Sequence, residues 1–199
     1  FGSNWTNVSF IYSQVQAVEA TPSGALLAGS ENEIYRTSDA GVSWTDTRSG
    51  VTALDFAVNP HSPSGTSIFA GNSPSGIYKS TNDGATWVYA ANGLDDFDVN
   101  SMGAIPNGSG GTHLLAGAAT ELFISTNDGG HWQKANLQTL ALDYAVTPNG
   151  AGGHDVRLHE AVVPRCGARA VGPDEVVGVC HGSLRLDAAD RDGRGRVAR

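Results

Sequence analysis

Residues 1–150 contain no cysteine and only four cationic side chains, Arg36, Arg48, Lys79 and Lys134. Without cysteine there is no disulfide framework in this stretch, and the redox compartment cannot be read from it. Against those cations stand 13 Asp and Glu, a net charge of −9. So acidic a surface offers no footprint for nucleic acid or for an anionic membrane. No apolar run approaches the roughly 18 residues of a membrane span. Helical periodicity is missing as well, which excludes a solenoid of helix pairs. Nothing in the sequence calls for a cofactor or a resident metal.

The remaining residues lack different things. From Ala151 to Arg199 there is no aromatic residue, no Ile, Lys, Thr or Asn, and a single serine, Ser183. Eight of the ten arginines and both cysteines fall there. The chain therefore divides into 1–150 and a low-complexity tail, 151–199, poor in the large apolar side chains that pack a core. Two readings of the tail stay open: translation out of frame near position 150, and a genuine disordered or accessory segment. His154, His159, Cys166, Cys180 and His181 do not follow the paired spacing of zinc ligands. Asp190-Arg191-Asp192-Gly193 resembles half of a calcium loop, but no Glu follows at its twelfth position.

What is present in 1–150 is a repeat. Tryptophans stand at Trp5, Trp44, Trp87 and Trp132, at intervals of 39, 43 and 45. The last three close the octapeptides TSDAGVSW (37–44), STNDGATW (80–87) and STNDGGHW (125–132). The opening FGSNW (1–5) reads as the second half of the same unit. ALLAG, SIFAG and HLLAG stand upstream of the octapeptides, and ALDFAVNP (53–60) recurs as ALDYAVTP (141–148). Each period holds four short strand-like runs separated by Pro, Ser, Gly and Asn-Asp-Gly turn chemistry. Four strands per 40–45 residues is the pattern of a β-propeller blade. The expected fold is all-β: a partial propeller of about three and a half blades, beginning inside a blade, followed by the irregular tail.

Within the octapeptide every position has a job in a tight hairpin. Thr37, Ser80 and Ser125 supply a hydroxyl to the loop backbone, and Asp39, Asn82 and Asn127 accept backbone N–H groups. Gly41, Gly84 and Gly129 permit a positive φ. Trp44, Trp87 and Trp132 bring large apolar area to the start of the fourth strand. These roles are structural, and they do not add up to a nucleophile, base and oxyanion site.

The octapeptides resemble Asp-boxes, or BNR repeats, found in sialidases, sortilin-type receptors, some endo-glucanases and propellers similar to photosystem II assembly factors. The resemblance covers 1–150. It implies that the box is a turn on the blade periphery, away from the binding face. It also implies what a sialidase would need: an arginine cluster gripping a carboxylate, a Tyr/Glu pair and an Arg-Ile-Pro motif. Residues 1–150 hold only Arg36 and Arg48 and no Arg-Ile-Pro. Arg36 aligns with Lys79 and Ile124, which reads as a tolerant outer-strand position. Another glycosidase would need two carboxylates across a cleft. The weak candidates are Asp55 and Asp143, at equivalent places in the two ALD motifs. The run DDFD (95–98) reads as a solvated loop. The function expected is a non-catalytic secreted or cell-surface module that binds protein or carbohydrate, its other partners being the missing blades of the full-length chain. The alternative is a fragment of a glycoside hydrolase with most catalytic residues outside this chain.

Overall fold

The computed structural model describes residues 14–63, 65–107 and 110–135, and the backbone strands β13 (Asp143–Pro148), β14 (His154–His159), β15 (Val176–Val179) and β16 (Ser183–Leu186). Three four-stranded antiparallel meanders occupy the fully described part. The first is β1 (Val15–Ala20), β2 (Leu26–Ser30), β3 (Glu33–Thr37) and β4 (Thr45–Ser49). The second is β5 (Ala53–Ser62), β6 (Gly65–Asn72), β7 (Gly76–Ser80) and β8 (Val88–Tyr89). The third is β9 (Val99–Pro106), β10 (Thr112–Ala118), β11 (Leu122–Ser125) and β12 (Gln133–Lys134). Each is a blade with its strands in chain order, and the described residues contain no helix. This is a partial β-propeller.

A fourth sheet runs β13-β14-β16-β15 and so departs from chain order. Its first strand is ALDYAVTP without its opening Ala-Leu. The side chains of that sheet, and the proposed boundary at 150, lie outside the described residues.

The blades stack face to face, with the first strands β1, β5 and β9 of successive blades against one another. Apolar side chains from two blades make each core. Leu27, Ile34 and Val51 of the first blade meet Phe56, Ala70, Tyr78 and Trp87 of the second. Phe69, Ile77 and Leu94 meet Met102, Leu114 and Trp132 in the same way. The glycine of the LAG and FAG motifs is fixed by this stacking. A Cβ on Gly29 would lie 2.5 Å from the Ala53 carbonyl oxygen, and one on Gly71 would lie 2.9 Å from Val99 and Met102 side chains. Only a bare backbone lets the second strand approach the next blade so closely.

An antiparallel meander alternates its turns between two ends. The turns after the first and third strands of each described blade therefore share one face of the propeller. The turns after the second strands (β2–β3, β6–β7 and β10–β11) and the blade-to-blade crossovers share the other.

Candidate functional site

The octapeptides form the hairpins between the third and fourth strands of each blade, β3–β4, β7–β8 and β11–β12. In all three the first residue's hydroxyl accepts from the glycine N–H: Gly41 N to Thr37 Oγ1 at 3.1 Å, Gly84 N to Ser80 Oγ at 2.9 Å, Gly129 N to Ser125 Oγ at 3.0 Å. The third residue's Oδ1 accepts from the backbone four residues on, at 2.9 Å each time: Ser43 to Asp39, Thr86 to Asn82, His131 to Asn127. Asn replaces Asp without loss because Oδ1 keeps this role. In Asn82 the amide Nδ2 also donates to Thr86 Oγ1, where Asp39 Oδ2 accepts from Ser43 Oγ. These bonds, the Ser43 hydroxyl first, hold the Asp39 carboxyl down at about 2.

The hairpin has a second positive-φ position that the sequence pattern does not mark. Ala40, Asp83 and Asp128 stand at φ 58, 61 and 57, each just before its glycine at 89, 80 and 76. Two successive positive φ values closed by an i to i+3 bond, Ala85 N to Asn82 O in the second blade, make a type I′ turn.

Asp83 and Asp128 do more than sustain the turn. Asp128 Oδ2 accepts from Lys79 Nζ at 2.7 Å and Ser62 Oγ at 2.6 Å, and Oδ1 accepts from Asn59 Nδ2 at 2.8 Å, all donors from the preceding blade. Asp83 Oδ2 accepts from Arg36 Nη2 and Ser23 Oγ, both at 2.6 Å and both from the first blade. Arg36 Nε and Lys79 Nζ also reach the backbone carbonyls of Asp83 and Asp128. Arg36 is therefore not a tolerant outer-strand residue, as its alignment with Lys79 and Ile124 suggested. The third-strand cation clamps the next blade's hairpin in both junctions. The signal was in the repeat: a cation in one blade, an Asp at the fourth octapeptide position in the next.

Burial raises the carboxyls of Asp128 and Asp83, but the bonds they accept outweigh it and hold both below the ordinary range. An unfolded aspartate, near 3.9, takes up protons first as the solution acidifies. Stability from these two groups is thus complete above about pH 5 and lost as the pH falls below about 4. Urea unfolding between pH 7 and pH 3 is expected to show that loss, and Asp128→Asn is expected to lower stability at pH 7 while flattening its acid dependence. An acid limb equally steep in the variant would remove Asp128 from this account.

The opposite face carries the crossovers. The first is three residues, 50–52, whereas the second is nine, 90–98, and contains DDFD. An open pocket of about 390 Å³ forms where this longer crossover meets Pro74, Thr120, Glu121 and Lys134. Its carboxylates are engaged, so DDFD is not simply a solvated loop. Asp96 Oδ2 accepts from Thr120 Oγ1 at 2.7 Å and Thr120 N at 3.0 Å, and Asp98 Oδ1 accepts from Ser73 Oγ at 2.6 Å. Lys134 pairs with Asp95 at 2.8 Å and Glu121 at 2.6 Å, and both partners, Asp95 first, hold its ammonium above the ordinary range. Among the described residues no group of three His, Cys, Asp or Glu is placed to hold a metal ion. The histidines and cysteines of the tail lie outside them.

Asp55 sits on β5 at the junction with the third blade. Its Oδ1 accepts from Phe56 N and its Oδ2 from Met102 N, both at 2.8 Å. It ties two blades together on their first strands. The Asp143 side chain lies outside the described residues.

A scan against protein-family models finds no match, and a search of curated proteins finds none. Solved structures do match in shape. An ancestral GH74 enzyme superposes with a TM-score of 0.59 at 18% identity, over 75% of this chain and 22% of that one. A GH74 xyloglucanase from Xanthomonas campestris gives 0.54 at 16% identity, over 72% and 26%. The extracellular domain of the hybrid two component system BT4673 from B. thetaiotaomicron gives 0.54 at 12%, over 75% and 21%. The chain spans about a quarter or less of the length of these proteins. At such identities the likeness establishes the fold, a β-propeller.

Proposed function

We propose that the chain is part of a non-catalytic propeller of Asp-box type, secreted or at the cell surface, which binds protein or carbohydrate through its crossover face. The observation that carries this reading is the lengthened crossover 90–98, which builds the pocket of Asp95, Asp96, Asp98, Glu121 and Lys134. Loops set on a rigid scaffold are where recognition residues concentrate. The octapeptides, on the other face, are taken up with their own turns and with the neighbouring blade, so they act as structural elements. No helix among the described residues is long and apolar enough to cross a membrane.

A second reading, a glycoside hydrolase fragment, draws on the shape shared with the two GH74 enzymes. It asks Asp55 to act in catalysis, although Asp55 accepts two backbone N–H bonds. The two readings separate in one experiment. The chain is titrated calorimetrically with xyloglucan oligosaccharides and with an oligolysine peptide, and reducing-end release is followed in parallel. Binding is expected to saturate for one probe without release and to weaken at least tenfold in Asp95→Asn/Glu121→Gln. Release that Asp55→Asn abolishes would establish the hydrolase reading instead.

A further inference from the structure

The two residues after each octapeptide tryptophan begin the outermost strand of a blade. They are Thr45-Asp46 in the first blade and Gln133-Lys134 in the third, all polar and exposed. In the second blade the same two places, β8, carry Val88 and Tyr89, 62% and 57% exposed. Large apolar side chains held at the rim of one described blade in three mark a contact surface. They line an open groove of about 680 Å³ between the rim of the second blade and the hairpin of the third. Phe97, 41% exposed, lines this groove and the acidic crossover pocket alike.

The groove has a fixed shape and a neutral lining. Ala90, Ala91 and Gly93 on one wall and Gly129 and Gly130 on the other are small, which leaves the recess open. The walls are tied together: Trp132 donates its indole N–H to the Ala90 carbonyl and its backbone N–H to the Asn92 carbonyl, both at 2.8 Å, and Asn92 Nδ2 donates to the Gly130 carbonyl at 3.2 Å. The charged lining residues, Lys79 and Asp128, pair with each other at 2.7 Å. One donor is left over. Asn82 spends its Nδ2 on Thr86 Oγ1, but His131 stands at that place in the third blade, and the bonds of Asn127 use its Oδ1 and leave Nδ2 open. A peptide strand added to β8 would find little to pair with. That edge is two residues long, and the Ala90 and Asn92 carbonyls beyond it already accept from Trp132.

We propose that this rim groove binds an uncharged oligosaccharide, with Val88, Tyr89 and Phe97 against the C–H face of a pyranose ring and Asn127 Nδ2 donating to a hydroxyl. A sugar joins an apolar face to neutral hydroxyls, which is the combination the groove offers. A charged ligand would meet no unpaired countercharge there. The site is distinct from the acidic pocket and does not depend on it. Calorimetric titration of the full chain with cellohexaose, xylohexaose and mannohexaose tests it. At least one is expected to saturate, and Val88→Thr/Tyr89→Asp, which installs the first blade's own pair, is expected to weaken it at least tenfold. Asp95→Asn/Glu121→Gln is expected to leave it unchanged. Saturation by none of the three, or a smaller effect of the rim variant, overturns the proposal. A loss caused by the Asp95/Glu121 variant instead places the sugar in the acidic pocket and also overturns it. Saturation by an uncharged Ser/Val/Gly peptide alone, or a dimer that the rim variant dissociates, would give the groove to a protein and overturn it as well. Should the rim variant unfold, Asn127→Asp decides, since Asp39 closes the equivalent hairpin: lost affinity supports the proposal and unchanged affinity refutes it.

Discussion

Trp132→Ala is expected to lower the unfolding free energy by about 3–5 kcal/mol, the usual cost of emptying a buried aromatic site. Trp132 is 0% exposed. Its ring meets Phe69 of the preceding blade edge-on, with centroids 6.3 Å apart. Truncation would open a cavity at the blade junction and leave the Ala90 carbonyl without its indole donor. A loss of this size is a large share of the 5–15 kcal/mol that holds a domain folded. Trp132→Phe keeps most of the apolar area and is expected to cost less than half as much. Urea denaturation at neutral pH measures both. A loss below about 1.5 kcal/mol for Trp132→Ala would mean that the tryptophan does not anchor the junction.

Gly129→Ala is expected to cost about 2–5 kcal/mol, for two additive reasons. The residue sits at φ 76, where a side chain costs roughly 1–2 kcal/mol. The new methyl would also lie 2.4 Å from Phe69 Cε1 and 3.1 Å from Cζ, and relieving such overpacking costs typically 1–3 kcal/mol. Phe69 is wholly buried and cannot step aside freely. Gly84→Ala meets Leu27 Cδ2 at 2.5 Å, the far end of a more adaptable side chain, so a smaller loss is expected there. Equal losses at the two glycines would assign the effect to backbone strain alone.

These two positions show how far the sequence could be read. The hydroxyl, Asx and glycine of the octapeptide describe contacts within eight residues, so their hairpin was legible from local chemistry. The four-strand period likewise announced a propeller. What the octapeptide does to its neighbour was not legible in one repeat, because those contacts span 40–70 residues. The glycine is required by Phe69 or Leu27 of the preceding blade as much as by its own φ. The fourth position carries Ala40, Asp83 and Asp128, a variation that looks random until Arg36 and Lys79 are placed beside the two aspartates. Asp55 was ambiguous for the same reason: a carboxylate on a first strand can face ligand or a neighbour's backbone, and Met102 N settles its contact only in three dimensions. The crossover pocket was hidden in a small change of spacing: three residues more separate Trp87 from β9 than Trp44 from β5, and with β8 only two residues long the crossover 90–98 carries most of the pocket's carboxylates.

The central claim is that each octapeptide hairpin couples its blade to the one before. The cycle of Gly129→Ala with Phe69→Leu tests it most directly, because leucine lacks the ring atoms that the new methyl would strike. The cost of Gly129→Ala is expected to fall by about 1 kcal/mol or more in the Phe69→Leu background, a coupling of the size seen between touching residues. The same cost in both backgrounds, within about 0.5 kcal/mol, would be the additivity of independent sites, and it would contradict the claim.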